Sequence, residues 1–162
     1  MTTLRALITA MLLSGAAPVL AQGTNVAFGA ITQDTTLPVE VTADNLSVDQ
    51  SSGTAVFSGD VLIGQGEMRL TAQRVLVTYR SQNAGIAKLQ ATGGVTLVTG
   101  ADAAEADRAD YNIDTGEIEM TGDVLLTQGA SALTSEKMFV NLRTGTARMS
   151  GRVKTILQTG NN

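Results

Sequence analysis

The chain has 162 residues, a formal net charge of −4, and no cysteine, histidine or tryptophan. Without cysteine there is no disulfide stapling and no thiol nucleophile, and without histidine the commonest general base and metal ligand are missing. An acidic chain with no basic–aromatic stripe is also a poor partner for nucleic acid.

At the start, Arg5 forms a small positive region, Ala6 to Ala17 is apolar, and Val19-Leu20-Ala21 ends in a small-x-small pattern. Residues 1–21 therefore read as a cleaved secretory signal peptide, because the apolar run is too short to span a bilayer. The competing reading is an uncleaved membrane anchor. A mature chain beginning near Gln22 keeps about 140 residues, enough for one domain with its own core. Residues 22–37 show no periodicity and are expected to be a flexible leader running into the first strand. Residues 158–162 are expected to be a frayed end.

From residue 38 to 157 the chain repeats itself. Gly59-Asp-Val-Leu-Ile-Gly-Gln-Gly66 returns as Gly122-Asp-Val-Leu-Leu-Thr-Gln-Gly129, with weaker copies at Gly93–Gly100 and Gly151–Thr155. The leading glycines are 34, 29 and 29 residues apart. A second signature starts at Thr42, Thr71, Glu105 and Thr134, and each leading glycine precedes the next start by 12 residues. The single excess falls around Ser81-Gln-Asn-Ala-Gly85, a turn-like stretch. A period of about 29 residues marks a stacked architecture whose units complete their cores against neighbours. Val, Thr, Ile and Leu alternate with polar residues throughout, so the fold predicted is all-β. Asp102–Ala109 has the composition of a helix, but it lies in phase with three strand-like copies and is read as a strand.

Side chains two apart share a face of a strand, so the repeat assigns an inward face. One column holds Phe57, Ala91, Met120 and Met149, the next Val61, Val95, Val124 and Val153, and a third Ile63, Leu97, Leu126 and Thr155. The second signature adds Leu46, Val75, Ala109 and Met138, then Val48, Val77, Tyr111 and Val140. The leading glycine in each copy marks a bend or bulge. Two sheets are thus expected to close over an apolar interior running the length of the stack. That interior either packs on itself, as in any sandwich, or splays along one edge into a trough for acyl chains. Methionine and small aliphatic residues suit such a trough.

The polar residues offer little chemistry. Asp102, Glu105, Asp107 and Asp110 form the densest acidic cluster, but Arg108 among them favours a solvated rim over a metal site or an acid–base pair. Ser51, Ser52 and Ser131 lie in turns with no base beside them. No cofactor, metal site or catalytic residue is predicted. Charge is unevenly placed: residues 34–60 carry five acids and no base, and residues 136–162 carry five bases against Glu136. In a stacked repeat these are opposite ends with strand edges to cover, which invites head-to-tail addition of copies as an open filament. Ordinary solvated strands are the alternative, and self-association that weakens as salt rises separates the two.

Ile31-Thr-Gln-Asp-Thr35, Pro38-Val-Glu-Val-Thr-Ala-Asp-Asn45, Gly53-Thr-Ala-Val-Phe-Ser-Gly-Asp-Val61 and Gly116-Glu-Ile-Glu-Met-Thr-Gly-Asp-Val124 follow the leader in this order. In order and spacing they resemble the OstA-like family of periplasmic lipopolysaccharide-transport bridge proteins, over about residues 30–157. The resemblance implies a non-enzymatic periplasmic carrier, a twisted antiparallel β-jellyroll whose apolar groove, open at both ends, holds lipid A acyl chains. It also implies head-to-tail joining with itself, an inner-membrane-anchored partner at the N-terminal edge and an outer-membrane translocon at the C-terminal edge. Carried onto this chain, the lipid contacts fall on Val39, Val41, Val75, Val77 and Leu97, with the inward Phe57, Val61, Ile63, Met120, Val124, Leu126, Met138, Val140 and Met149 completing the groove. Arg80, together with Arg69, Arg74 and Lys88, is placed on the rim for anionic head groups. Compared with longer relatives this chain lacks a basic C-terminal tail and has a short connection at Ser81–Gly85. A charge at Val41 or Leu97 is expected to weaken glycolipid binding in a domain that stays folded. The rivals are a secreted β-solenoid scaffold or adhesin with a packed core, a carbohydrate-active β-helix enzyme, and a membrane-anchored sibling in the same transport pathway.

Overall fold

In a computed structural model, residues 24–27, 34–80 and 85–156 are described. The signal peptide, most of the Ile31–Thr35 motif, residues 81–84 of the expected turn and the C-terminal end fall outside them. The described residues form eleven β-strands and no helix. They are β1 (Thr24–Ala27), β2 (Glu40–Thr42), β3 (Asn45–Asp49), β4 (Thr54–Gln65), β5 (Met68–Tyr79), β6 (Ile86–Thr99), β7 (Asp102–Asn112), β8 (Glu117–Gln128), β9 (Ser131–Asn141), β10 (Thr146–Ser150) and β11 (Lys154–Ile156). The helix-like stretch is strand β7, since pairing along its whole length with β6 and β8 outweighs alanine's helix propensity.

One continuous antiparallel sheet holds all eleven strands, in the order β1-β10-β9-β8-β7-β6-β5-β4-β2, with β3 also on β4 and β11 also on β9. The two expected sheets are therefore two halves of one sheet, creased across its middle. Every long strand crosses the crease, where the register slips by a bulge at Ser58/Val61, Thr92/Val95 and Thr121/Val124. One half, the β3 half, holds β3, β10, β1 and the adjoining ends of β4–β9. The β2 half holds β2, β11 and the other ends.

The leading glycines make the crease. Gly59, Gly93, Gly122 and Gly151 have φ of 80, 87, 85 and 79°, and the residues after them (Asp60, Gly94, Asp123, Arg152) are also left-handed. This is backbone that glycine adopts at little cost and other residues do not. Each glycine is also covered from the neighbouring strand by the third residue of the second signature. A Cβ built on Gly59, Gly93, Gly122 or Gly151 would lie 2.9, 2.8, 2.8 or 2.7 Å from the Cβ of Asp44, Gln73, Asp107 or Glu136. The Asp44 and Glu136 amides donate to the carbonyls of Gly59 and Gly151, so the crease keeps its hydrogen bonds.

Because both halves fold toward the same side, their inward residues merge into one apolar core. Val61, Ile63, Val75, Val77, Leu97, Met120, Val124, Leu126, Met138, Val140 and Met149 are all fully buried in it, together with Met68 and the small wall Ala104, Ala106 and Ala109 on β7. Within the predicted leader, residues 24–27 form β1 and pair with β10, whose outer edge would otherwise lack a partner among the described residues.

Candidate functional site: an apolar interior with two unfinished ends

Along the middle of the domain the interior is filled by its own side chains. Toward the sheet edges its apolar residues are less fully covered. On β3, Leu46 and Val48 lie opposite the inward Phe57 and Ala55, yet are 57% and 59% exposed because no strand lies beyond them among the described residues. Val39, Val41, Ala43 and Phe57 are half-buried beside them. At the other end Val26 and Val153 are half-buried, and Thr155, opposite the inward Leu133, is exposed. The predicted groove residues therefore fall into two sets. Val39, Val41 and Phe57 are half-buried toward the β2/β3 edge, and the remaining eleven are fully enclosed. Leu97, at 0% exposure, lies too deep to take a charge in a folded domain, which corrects the expectation that an aspartate there would be tolerated.

Opposite the crease, where the two halves meet again, the lip of the β2 half is polar. The Tyr111 hydroxyl of β7 donates to Gln65 Oε1 of β4 at 2.5 Å, and Gln65 Nε2 donates to the carbonyls of Thr35 and Leu37 at 3.0 and 2.9 Å. Burial pushes the Tyr111 phenol up to about 12, so it stays a proton donor at any physiological pH. Arg143 reaches the same leader segment, donating to Thr35 Oγ1 at 3.1 Å. Further along, Gln128 Nε2 donates to the Ala27 carbonyl at 2.6 Å. Two glutamines on one half thus hold the leader's backbone while Tyr111 and Arg143 hold from the other half. Gln65 and Gln128 share one position of the repeated octet and Tyr111 stands in an inward column, but their polar roles are not legible in the sequence, because each acts through partners remote in the chain.

Thr99 lies on the same lip, 2% exposed, with no hydrogen-bond partner for its hydroxyl among the described residues. An unpaired buried hydroxyl costs about 1–3 kcal/mol, so Thr99→Val should stabilise the domain by roughly 1 kcal/mol, read as a shifted denaturation midpoint at unchanged slope.

The predicted rim cations are not brought together. Arg69, Arg74 and Lys88 point outward from the sheet. Arg69 donates to the carbonyls of Gly66 and Met68, and Lys88 lies 3.3 Å from Asp110. Arg80 pairs with Asp114 at the hairpin ends of the β3 half. A hollow of about 860 Å³ lies on that half, lined by the outward Asn25, Lys88, Asp110, Glu119, Phe139 and Arg148 and by the backbone stretch that carries Ile118, Val140 and Ala147. The hydrogen bond from Arg108, with help from Gln90 and Lys88, holds the Asp110 carboxyl at about 2, against an ordinary 3.8. A lowered carboxylate pKa stabilises the fold above the unfolded value, and this is lost as pH falls through the folded one. Asp110→Asn should therefore cost roughly 1 kcal/mol at neutral pH, and urea titrations should show the difference vanishing between about pH 4 and pH 2.

A family model described as LptA/(LptD N-terminal domain) LPS transport protein matches residues 40–146, more than half of the chain. The chain belongs to this family. Among curated relatives, the lipopolysaccharide export system protein LptA of Escherichia coli (strain K12) and that of Shigella flexneri are each 35% identical over 49 residues, 30% of this chain. The aligned stretch spans 26% of either relative's length. Among solved structures, LptH of Pseudomonas aeruginosa, titled the LptA homologous periplasmic component of the conserved lipopolysaccharide transport device, superposes with a TM-score of 0.69. It is 17% identical, and the match covers 78% of this chain and 99% of that one, so the likeness is one of fold. The creased sheet is thus an LptA-like β-jellyroll, and the chain belongs to a family of lipopolysaccharide transport proteins.

Among the described residues no His/Cys/Asp/Glu group has metal-binding geometry, and no helix is long and apolar enough to cross a membrane.

Proposed function

We propose that this chain is a non-enzymatic periplasmic carrier that takes the acyl chains of lipopolysaccharide between the two halves of its sheet and joins head to tail with copies of itself. In this reading an inner-membrane-anchored component docks at the β2/β3 edge and an outer-membrane translocon at the β10/β11 edge. The observation that carries it is the exposed inward face of β3. Leu46 and Val48 continue the apolar wall past the last covering strand, which an isolated domain has no reason to keep.

In this reading that edge is the mouth, and acyl chains entering there would spread the halves about the crease. The ladder hydrogen bonds run between strands within each half, so spreading breaks none of them, and the flexible Met68, Met120, Met138 and Met149 can repack around a chain. Affinity then comes from buried apolar area at about 25 cal/mol per Å², not from the scattered cations. The close contact of the two walls favours one rival reading, a rigid β spacer with no ligand. A photo-crosslinking amino acid at Val41 or Phe57 should capture lipopolysaccharide, whereas one at the outward Leu62 should not. Equal labelling at all three positions would leave the spacer.

A further inference from the structure

The two signatures alternate without a break across the sheet. β2 with β3 is a copy of the second signature, β4 of the first, β5 of the second, and so on to β10 with β11, a copy of the first. The next strand in phase would be another second-signature copy, and the β2/β3 pair of a second molecule is one. The register of β7 on β6 then fixes its place. Ala109 opposite Ala91 and Tyr111 opposite Leu89 put the newcomer's Leu46 and Val48 opposite Met149 and Ala147. Ala104 opposite Leu97 puts its Val41 opposite Thr155. In this chain that position on β10 is already taken: Thr24 faces Met149 and Val26 faces Ala147.

We propose that β1 is a placeholder, occupying on β10 the position that β3 of a second copy takes when copies join, and that β11 is the foothold from which the second copy displaces it. This rests on the head-to-tail reading above. Three observations support it. β1 is a strand of four residues without charge, shorter than the five-residue β3. Among the described residues it pairs only with β10 and nothing pairs with the outer edge of β11, which is the edge an arriving β2 would take. Charge also favours the newcomer, since Lys154 on β11 would face Thr42 and lie diagonally between Glu40 and Asp44, within reach of a long side chain. A tethered strand acts at an effective concentration in the millimolar range, so β1 holds dilute copies apart and yields only to a partner that pairs over both half-edges.

Cross-strand neighbours allow a direct test. Asn25 faces Arg148, and the chain has no other cysteine to interfere. In the full chain, Asn25→Cys with Arg148→Cys should form an intramolecular disulfide that locks β1 in place. Sedimentation against concentration should show oligomers of the reduced protein, with the oxidised protein staying monomeric at concentrations at least tenfold higher. A peptide of residues 38–50 should bind the reduced form and not the oxidised one. Failure of the disulfide to form, or equal peptide binding by both forms, would overturn the placeholder. If the peptide discriminates but no form of the full chain assembles at any concentration, the placeholder stands and the head-to-tail reading falls.

Discussion

Leu97→Asp should abolish cooperative folding, whereas Val41→Asp should leave a folded domain that no longer captures glycolipid. Leu97 is wholly enclosed, facing Leu70 on β5 and Ala104 on β7. An ionised carboxylate there has no partner, and its desolvation costs several kcal/mol even after relaxation, comparable with the 5–15 kcal/mol that holds an ordinary domain together. Val41 is half-buried on the edge strand β2, where water can reach a carboxylate at the mouth. Circular dichroism with thermal melting reads the first outcome, and lipid capture by the still-folded Val41 variant reads the second. A Leu97→Asp protein with a normal melt would mean that the interior is already wet and open in solution.

Gly122→Ala should cost about 2–4 kcal/mol, a large effect for one methyl group. Part of it is conformational: the φ of 85° at Gly122 is backbone that an L-residue enters at a cost of about 1–2 kcal/mol. The rest is steric, because the new Cβ meets the Asp107 side chain laid across the glycine. The double variant Gly122→Ala with Asp107→Gly separates the two, since removing the side chain relieves the clash and leaves the φ cost. Chemical denaturation of the four members of the cycle should give a favourable coupling of roughly 1–2 kcal/mol. Strict additivity would show that Asp107 does not hold the crease.

The difference between these substitutions follows what could be read from the sequence. The inward columns at Val61, Val95 and Val124 or at Val75, Ala109 and Met138 were legible because phase alone places them on one face, whichever strands they pair with. The crease was legible as a glycine. Its cover by Asp44, Gln73, Asp107 and Glu136 was not, because that contact joins the two signatures across neighbouring strands, and neither motif contains its partner. One creased sheet in place of two follows from the same contact: a bulge bends a strand without ending it. Strand β1 left no trace in the sequence because four residues carry no period, and the free edge of β10 rather than local propensity makes them extended. Gln65 illustrates the limit, since its partner Tyr111 is 46 residues away in another apolar column. The scatter of the rim cations has a different reason. Arg69, Arg74 and Lys88 alternate with inward residues, and on a creased sheet the outward face turns away from the apolar interior.

The most direct measurement of the central claim is mass spectrometry of the lipid fraction extracted from the purified, folded protein, with Val41→Asp prepared in parallel. An acyl-bearing glycolipid recovered at about one molecule per chain, and lost from the variant, is the result predicted here. A protein that carries no acylated lipid even after incubation with lipopolysaccharide, and is indistinguishable from its Val41→Asp variant, would contradict it.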